Sequence, residues 1–317
     1  QKMYTNDFVK IEKMQIDLQK VCKTKDTMQQ SKQTKVIEGK TKLIEPVADP
    51  NLVRITTKDS LTANDAAIQA DLPVAVDKTA QTCSVFFYLK QNNIPVAYQV
   101  RNSDTSFIAK KCKMIPIECV IRRQPYGSYI KRHPEKSSAE IFNPLLTEFF
   151  HKYAVVSDPH PRLIPEDKAR EDYMKDGEWT HEVYTDPLIK LNEKEWLLYP
   201  AKKPKHEMQP LMDIRPIIDQ ASLYYIKHSL MIPCFELLEK AWKKFNVSLI
   251  DLKIEIGIDE ETKEIVIADV IDNDSWRIWP HGDPKKQLDK QSFRDGEKLT
   301  EIQKKYAIVT EYTRKFK

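Results

Sequence analysis

One stretch of alternating residues near the carboxyl end constrains the fold more than any other part of the chain. From 249 to 277 the sequence reads LIDLKIEIGIDEETKEIVIADVIDNDSWR. Positions 252, 254, 256 and 258 are Leu or Ile, whereas positions 251, 253, 255 and 257 are Asp, Lys, Glu and Gly. Because successive side chains of a strand point to opposite faces, this pattern predicts a strand with one apolar and one charged face.

A second strand is predicted to follow at once. The polar residues 259–264 are typical of a turn, and the segment EIVIADVI (264–271) is again strand-like, which predicts a hairpin. Within about one residue of register, Asp269 lies opposite Glu255. Two carboxylates at this distance repel each other, so a nearby cation, a shared proton or full solvation must offset the repulsion.

The charged face of this hairpin has two interpretations that the residues alone leave open. A solvated outer face of an antiparallel hairpin shows the same alternation. A functional face is the alternative, since one or two carboxylates together with phosphate oxygens commonly hold Mg²⁺. Lys253 lies between two acids, where it is suited to an anionic substrate, and the following loop adds Asp274, Ser275 and Arg277 beside the same face.

The rest of the chain divides into a polar extension and a body of mixed elements. Residues 1–34 are rich in Lys and Gln, and their loose apolar spacing predicts a helix that packs on the body or on a partner. Apolar spacing predicts further strands at 52–56 and 114–123, and helices at 84–93, 219–246 and 299–317.

The segment 153–210 has a different composition. It holds seven of the 19 prolines, together with clustered charges and isolated aromatic residues. Proline blocks long helices and central strands, so this segment is predicted to be a long irregular insertion. Loops of that length are usually functional or disordered.

Composition excludes several classes of protein. The 51 Lys and Arg residues exceed the 47 Asp and Glu residues by too little to indicate nucleic-acid binding. Five cysteines without CxxC spacing argue against a disulfide framework and a zinc site, and fit a reducing compartment. No apolar run is long enough to span a bilayer. A cytoplasmic protein is expected, although the first residue is Gln1 rather than Met, which leaves a cleaved secretion signal open.

Five motifs in one order give the chain its resemblance to a known family. They read EGKTK (38–42), IPIECVIRRQPYGS (115–128), DLKIEIG (251–257), ADVIDNDSWRIWP (268–280) and DKQSFRD (289–295). This set resembles the signatures of SAICAR synthetases, and the last two resemble the animal form closely. The resemblance implies an α+β fold, with two α+β subdomains of mostly antiparallel sheets on either side of an ATP cleft. Residues 35–120 would form the nucleotide-binding subdomain, and residues 121–317 the substrate and metal subdomain.

The resemblance also implies an activity. Members of this family join L-aspartate to the carboxylate of carboxyaminoimidazole ribotide (CAIR), using ATP and Mg²⁺, through an acyl phosphate. The partners implied are these small molecules, with no nucleic acid and no membrane. A homo-oligomer or a protein partner would use 1–34 or 153–210.

The family motifs assign roles to individual residues. The implied catalytic residues are Lys253, Asp251 and Arg277. The implied ATP contacts are Gly39, Lys40 and Lys42, together with a hinge from Met114 to Glu118 that would hold adenine through backbone groups. The implied substrate contacts are Arg122, Gly127, Ser128, Ser275, Lys290 and Arg294, and the implied metal ligands are Glu255 and Asp269. For each charged residue the alternative is a surface charge or an ion pair that contributes little.

Several positions depart from the family pattern. Asn64 and Ile68 stand where a Gly and an Arg are expected, and Tyr126 replaces a small residue before Gly127. His151 stands for a lysine associated with ATP, and Tyr153 for an acid. These changes favour an alternative function, in which a paralogue has lost catalysis and binds a ligand or acts as a structural or interaction protein.

Overall fold

The computed structural model describes residues 36–63, 68–157, 159–192, 194–204 and 208–317. The helix predicted within residues 1–34 lies outside these ranges.

Twenty strands occur in the described residues. They are β1 (Ile37–Glu38), β2 (Lys42–Pro46), β3 (Leu52–Thr57), β4 (Ser60–Ala63), β5 (Ile68–Asp71), β6 (Tyr98–Arg101), β7 (Ser106–Lys110), β8 (Cys112–Arg122), β9 (Leu146–His151), β10 (Tyr153–Ser157), β11 (Pro161–Pro165), β12 (Met174–Lys175), β13 (Glu178–Trp179), β14 (Val183–Thr185), β15 (Leu188–Leu191), β16 (Trp196–Tyr199), β17 (Met212–Ile214), β18 (Val247–Asp259), β19 (Ile265–Ala268) and β20 (Trp276–Pro280).

Seven α-helices accompany these strands in the described part of the chain. They are α1 (Ala75–Gln91), α2 (Ser128–Arg132), α3 (Glu166–Tyr173), α4 (Gln220–Tyr225), α5 (Ile232–Lys243), α6 (Gln291–Arg294) and α7 (Leu299–Thr313). A π-helical segment (Ile226–Met231) joins α4 to α5. Pro233 follows it in the first turn of α5, where the missing N–H of proline is tolerated.

Two antiparallel sheets dominate the structure. The smaller has five strands in the order β1-β2-β3-β7-β6. The larger has the order β17-β16-β15-β9-β8-β18-β19, and β20 pairs with the first half of β18. The two sheets are joined at residues 95–97, where Ala97 N–H donates to the carbonyl of Ile267 (2.8 Å). This connection fixes the smaller sheet beside the hairpin of β18 and β19.

One apolar core lies under both sheets. Helix α5 packs on β18, where Phe235, Leu238 and Trp242 are fully buried. Helix α1 packs between α7 and the smaller sheet, and it buries Phe86 and Leu89 there. Each large side chain removed from water stabilises the fold by about 1.5–3 kcal/mol. The polar face of β18 is therefore backed by a rigid apolar layer.

Most elements predicted from apolar spacing are present. The hairpin has β18 ending at Asp259 and β19 beginning at Ile265, so the turn lies where the polar residues predict it. Strands β3 and β8 and helices α1, α4, α5 and α7 cover the other predicted elements. Helix α1 begins nine residues earlier than the 84–93 prediction, at Ala75.

The prediction of an irregular insertion at 153–210 was wrong. Residues in that range form β10 to β16 and helix α3. Its prolines lie between elements or, like Pro161 and Pro165, at the ends of β11, which is an edge strand of the sheet β11-β10-β14. An edge strand tolerates proline because its outward N–H needs no partner.

The predicted division of the chain at residue 120 falls inside β8. That strand belongs wholly to the larger sheet, and its pairing with β18 continues to Arg122 opposite Asp251. The smaller sheet ends in sequence with β7 at Lys110. The change of sheet therefore lies close to residue 111.

Candidate active site

The charged face of β18 is buried. Asp251 and Glu255 are only 4% and 9% exposed, and both line cavities. A solvated outer face would leave such carboxylates open to water, so that interpretation of the hairpin was wrong. The strand instead carries its acids on a rigid support toward a cleft.

The carboxylates of Glu255 and Asp269 are offset by lysines. Glu255 lies opposite Ala268, one residue from Asp269, as the predicted register requires. Asp269 accepts a hydrogen bond from Lys42, and Glu255 accepts one from Lys152 (2.5 Å). Burial works against the charge of Asp269, but the neighbouring Lys42 outweighs it and lowers the pKa of Asp269.

These groups line a first cavity of about 270 Å³. Lys40 from the turn after β1, Lys42 from β2 and Lys253 from β18 line it together with the two carboxylates. The lining residues that carry charge are Lys40, Lys42, Lys78, Lys253, Glu255, Asp269, Asp272, Asp274, Lys290 and Arg294. Such a mixture of ammonium and carboxylate groups suits a polyphosphate, whose oxygens take both direct cationic partners and a carboxylate-held cation.

A buried ionic cluster around Asp274 forms one wall of this cavity. Its carboxylate accepts hydrogen bonds from Lys78 (2.9 Å), Lys290 (3.0 Å) and the Tyr306 hydroxyl (2.7 Å). Burial opposes ionisation, but Lys78 and Lys290 outweigh it and lower the pKa of Asp274. Burial raises the pKa of the neighbouring Asp272. The cluster ties α1, the 272–275 loop, the start of α6 and α7 to one another.

A second cavity of about 830 Å³ adjoins the first. Asp251 and two arginines form its floor, because Asp251 Oδ2 accepts from Arg122 Nη1 (2.8 Å) and from Arg277 Nη1 (2.5 Å). Arg122 Nη2 also donates to Ser128 Oγ (3.1 Å). Asp251 thus orients two guanidinium groups, which together can grip an anion.

Lys253 and four other residues line both cavities. Its ammonium lies 2.7 Å from Oε1 of Glu118, which lines the second cavity. Burial tends to lower the pKa of Lys253, but Glu118 and Glu255 outweigh it and raise that pKa. The residues that share both cavities are Lys253, Asp274, Ser275, Lys290 and Arg294. The two cavities therefore form one cleft.

Fourteen of the sixteen residues assigned from the family motifs line this cleft. Gly39 and Met114 do not. Gly39 N–H donates to the carbonyl of Lys42 (2.8 Å), which closes the turn that places Lys40 and Lys42. Met114 is 40% exposed at the start of β8. The adenine hinge from Met114 to Glu118 stays a prediction.

Lys152 brings a permanent positive charge to the site, although His151 does not. His151 was expected to remove a permanent charge from the nucleotide site, but its side chain is buried and its Nδ1 has no hydrogen-bond partner in the described structure. The next residue, Lys152, brings its ammonium to Glu255 instead. The ring of Tyr153 packs edge-on against His151 (4.9 Å between centroids). Asn64 and the side chain of Ile68 lie outside the described residues.

Three residues that bond to the carboxylates of the cleft were missed from the sequence: Lys78, Lys152 and Tyr306. Lys78 lies near the start of α1, where no local pattern marks it. Lys152 stands beside an altered motif residue, and Tyr306 lies in α7 without any marked pattern.

Glu255 and Asp269 are the carboxylates of the cleft that face the question of a divalent metal. No group of three or more His, Cys, Asp or Glu side chains in the described residues is arranged to hold a metal ion. Mg²⁺ usually takes only one or two carboxylates and completes its shell with water and phosphate. Glu255 and Asp269 fit that requirement, since both line the cavity beside Lys40 and Lys42.

No helix in the described part is long and apolar enough to cross a membrane.

Comparison with known proteins gives one family. The family model for SAICAR synthetase matches residues 35–186 and 205–311, which includes most of the 153–210 segment. A multifunctional protein ADE2 from Gallus gallus is 38% identical over 269 residues, covering 84% of this chain and 53% of that protein. A phosphoribosylaminoimidazole-succinocarboxamide synthase from Chloroflexus aurantiacus is 32% identical over 283 residues, covering 87% of this chain and 94% of that protein. The chain thus spans about half the length of the animal relatives.

Solved structures show the same fold. A phosphoribosylaminoimidazole-succinocarboxamide synthase from Ehrlichia chaffeensis superposes with a TM-score of 0.64 at 20% identity, over 88% of this chain and 98% of that one. A SAICAR synthetase in complex with ADP gives a TM-score of 0.62 at 22% identity, over 87% of this chain and 97% of that one. The mixed helix and antiparallel-sheet architecture is therefore the α+β fold expected.

Proposed function

This chain belongs to the SAICAR synthetase family, and from this we propose that it joins L-aspartate to CAIR with ATP, which gives SAICAR in de novo purine biosynthesis. One observation carries the proposal. The small cavity, with its lysines and carboxylates, opens into the larger arginine-floored cavity, and Lys253 lines both. A phosphoryl donor in the first and a carboxylate acceptor in the second would meet at Lys253.

The smaller cavity is the proposed ATP-phosphate site. Lys40 comes from the turn after β1 and Lys42 begins β2. Cationic groups around a transferring phosphoryl stabilise its charge. A neighbour of the same fold was solved with ADP, which is consistent with a nucleotide here. Glu255 and Asp269 would hold Mg²⁺, which when bound neutralises phosphate charge during transfer. Lys42 lowers the pKa of Asp269, and Lys152 orients the Glu255 carboxylate through its hydrogen bond.

The larger cavity is the proposed ribotide site. Arg122, Arg277 and Ser128 offer donors for its phosphate or carboxylate, and Asp251 fixes both guanidinium groups. Asp251 accordingly acts as a positioning residue, although the family motif suggested a catalytic role. Lys253 would hold the CAIR carboxylate where the two cavities join.

The proposed reaction has two steps. A CAIR carboxylate oxygen attacks the γ-phosphorus of ATP, the bond to the bridging oxygen breaks, and ADP leaves with that electron pair. The aspartate amine then attacks the acyl carbon, and inorganic phosphate leaves as the amide forms and the amine loses a proton. Cations beside the acyl oxygen stabilise the negative charge that develops in both steps.

The four described cysteines are free thiols, which supports a reducing compartment such as the cytoplasm. A homo-oligomer or a protein partner that uses 1–34 or 153–210 stays a prediction.

A product assay tests the activity directly. Purified chain is incubated with ATP, Mg²⁺, L-aspartate and CAIR, beside a Lys253→Ala variant and a Lys240→Ala control, in which an exposed lysine of α5 is removed. SAICAR formation by wild type and control, with a loss of about 100-fold or more in Lys253→Ala, is expected. No product from the wild type would end the ligase proposal. Calorimetric titration with Mg-ATP would then show whether a binding-only paralogue remains.

A further inference from the structure

The guanidinium of Arg277 lies against an aromatic ring. Its Cζ is 5.2 Å from the centroid of the Tyr126 ring. That ring packs edge-to-face on Trp279, with 5.1 Å between centroids. A cation over an aromatic face is attracted by the electron density of the ring. The contact with Trp279 keeps the Tyr126 ring in place against the guanidinium of Arg277.

The next residue lies against the same guanidinium. A Cβ added to Gly127 would lie 2.7 Å from Nη2 and 3.0 Å from Cζ of Arg277, so any other residue would displace this guanidinium from its position. Gly127 also has φ +60°, a conformation that other residues rarely adopt. Two consecutive residues therefore enclose the Arg277 side chain.

Hydrogen bonds alone do not fix this arginine. Nη1 donates to Asp251, whereas Nε is buried without a hydrogen-bond partner among the described residues. One hydrogen bond leaves a guanidinium free to pivot. The ring of Tyr126 supplies the second constraint, and its backbone carbonyl also accepts from Arg122 Nη1 (3.2 Å).

We propose that Tyr126 is a positioning residue, which holds Arg277 in the floor of the larger cavity so that it grips the phosphate-bearing ribotide. The inference deepens the proposed function and rests on it. Asp251 accepts from Arg122 and Arg277, and Arg122 also pairs with Glu148, which Arg132 shares. Three guanidinium groups therefore meet two carboxylates, which leaves one positive charge for an anion. A phosphate ester would take donors from both arginines once Tyr126 has fixed the second one.

Ribotide affinity tests the positioning role. Tyr126→Phe keeps the ring, Tyr126→Leu keeps much of the bulk without the ring, and Tyr224→Ala removes an exposed tyrosine as a control. Titration with SAICAR is expected to give unchanged affinity for the Phe and Tyr224 variants, and affinity about 2- to 30-fold weaker for the Leu variant. Affinity for Mg-ATP should stay unchanged in all three. Wild-type SAICAR affinity in Tyr126→Leu, or an equal loss for SAICAR and Mg-ATP, would overturn the proposal.

A ligand-free measurement separates this inference from the proposed function. A double-mutant cycle between Tyr126→Leu and Arg277→Met, measured by urea unfolding, reports the coupling of the two side chains without substrate. Coupling of about 2- to 30-fold in the unfolding equilibrium is expected. If wild type fails to bind SAICAR, the proposed function loses its support, and this cycle alone decides whether Tyr126 restrains Arg277. A coupling factor near 1 in the unfolding equilibrium would show that Tyr126 does not restrain Arg277.

Discussion

Lys152 donates a hydrogen bond of 2.5 Å to Glu255 and so brings a positive charge to the carboxylate face of β18. The contact joins the connection after β9 to the centre of the larger sheet. Burial opposes the charge of Lys152, but Glu255 outweighs it and raises the pKa of that lysine. Lys152 thus stays protonated beside Glu255 at the edge of the proposed phosphate site.

Replacing Glu255 with Gln should weaken Mg-ATP binding and Mg²⁺ dependence together. The carboxylate is one of two proposed metal ligands, and the loss of a charged partner at a buried site costs about 1–3 kcal/mol. Calorimetric titration of Mg-ATP, repeated over a range of Mg²⁺ concentrations, measures both effects. Glu264→Gln is the matched control, because Glu264 lies at the exposed end of the same hairpin. Unchanged nucleotide affinity in Glu255→Gln would remove Glu255 from the metal site.

Lys78→Met should destabilise the fold as well as the site. The Lys78 side chain is 4% exposed and its ammonium lies 2.9 Å from Asp274. Removing one member of a buried ion pair leaves the other charge uncompensated, but Lys290 and Tyr306 remain, so a loss of about 2–3 kcal/mol is expected. Urea unfolding measures it. Lys90→Met, at the exposed end of the same helix, should change stability by less than about 0.5 kcal/mol. Equal effects of the two variants would contradict a structural role for the Asp274 cluster.

The sequence predicted the hairpin and its charged face because both depend on local alternation. Leu252, Ile254 and Ile256 are buried on one side, and Asp251 and Glu255 line the cleft on the other. Whether that cleft face was solvated could not be decided locally. It depends on Lys42 and Lys152, which reach these carboxylates from distant parts of the chain.

The missed residues share one physical cause. Lys78 and Asp274 are 196 residues apart, and no local pattern marks a lysine of α1 as buried. The segment 153–210 was mispredicted because its short strands have prolines at their ends, and composition cannot distinguish such strands from an irregular loop.

His151 should make stability depend on pH in a defined direction. Burial lowers the pKa of His151 from 6.5 to about 4. Between these values the unfolded chain binds a proton that the folded chain does not, so stability falls as pH decreases from 6.5 to 4, by up to about 3 kcal/mol. His151→Phe removes this contribution. The difference in unfolding free energy between wild type and variant should therefore change between pH 4 and 6.5. If the free energies of the two proteins ran parallel over this range, the imidazole of His151 would not be buried in its neutral form.

Asp289 should make stability depend on pH in the opposite direction, over nearly the same pH range. Burial raises its pKa from 3.8 to about 6, although the N–H groups of Gln291 and Ile278 and the charge of Arg277 partly oppose this. The folded state then keeps a proton that the unfolded state has lost, so the contribution of Asp289 is complete below pH 3.8 and is lost as pH rises through 6. The loss amounts to about 3 kcal/mol. Asp289→Asn should remove it.

The two variants together make a sharper test than either alone. His151 and Asp289 contribute slopes of opposite sign, so they largely cancel in the wild type between about pH 4 and 6. Relative to wild type, stability should fall with rising pH in His151→Phe and should rise with rising pH in Asp289→Asn. Urea unfolding at pH 4, 5, 6 and 7 measures both slopes. The same sign in the two variants would show that one of these groups is ionised differently in the folded protein.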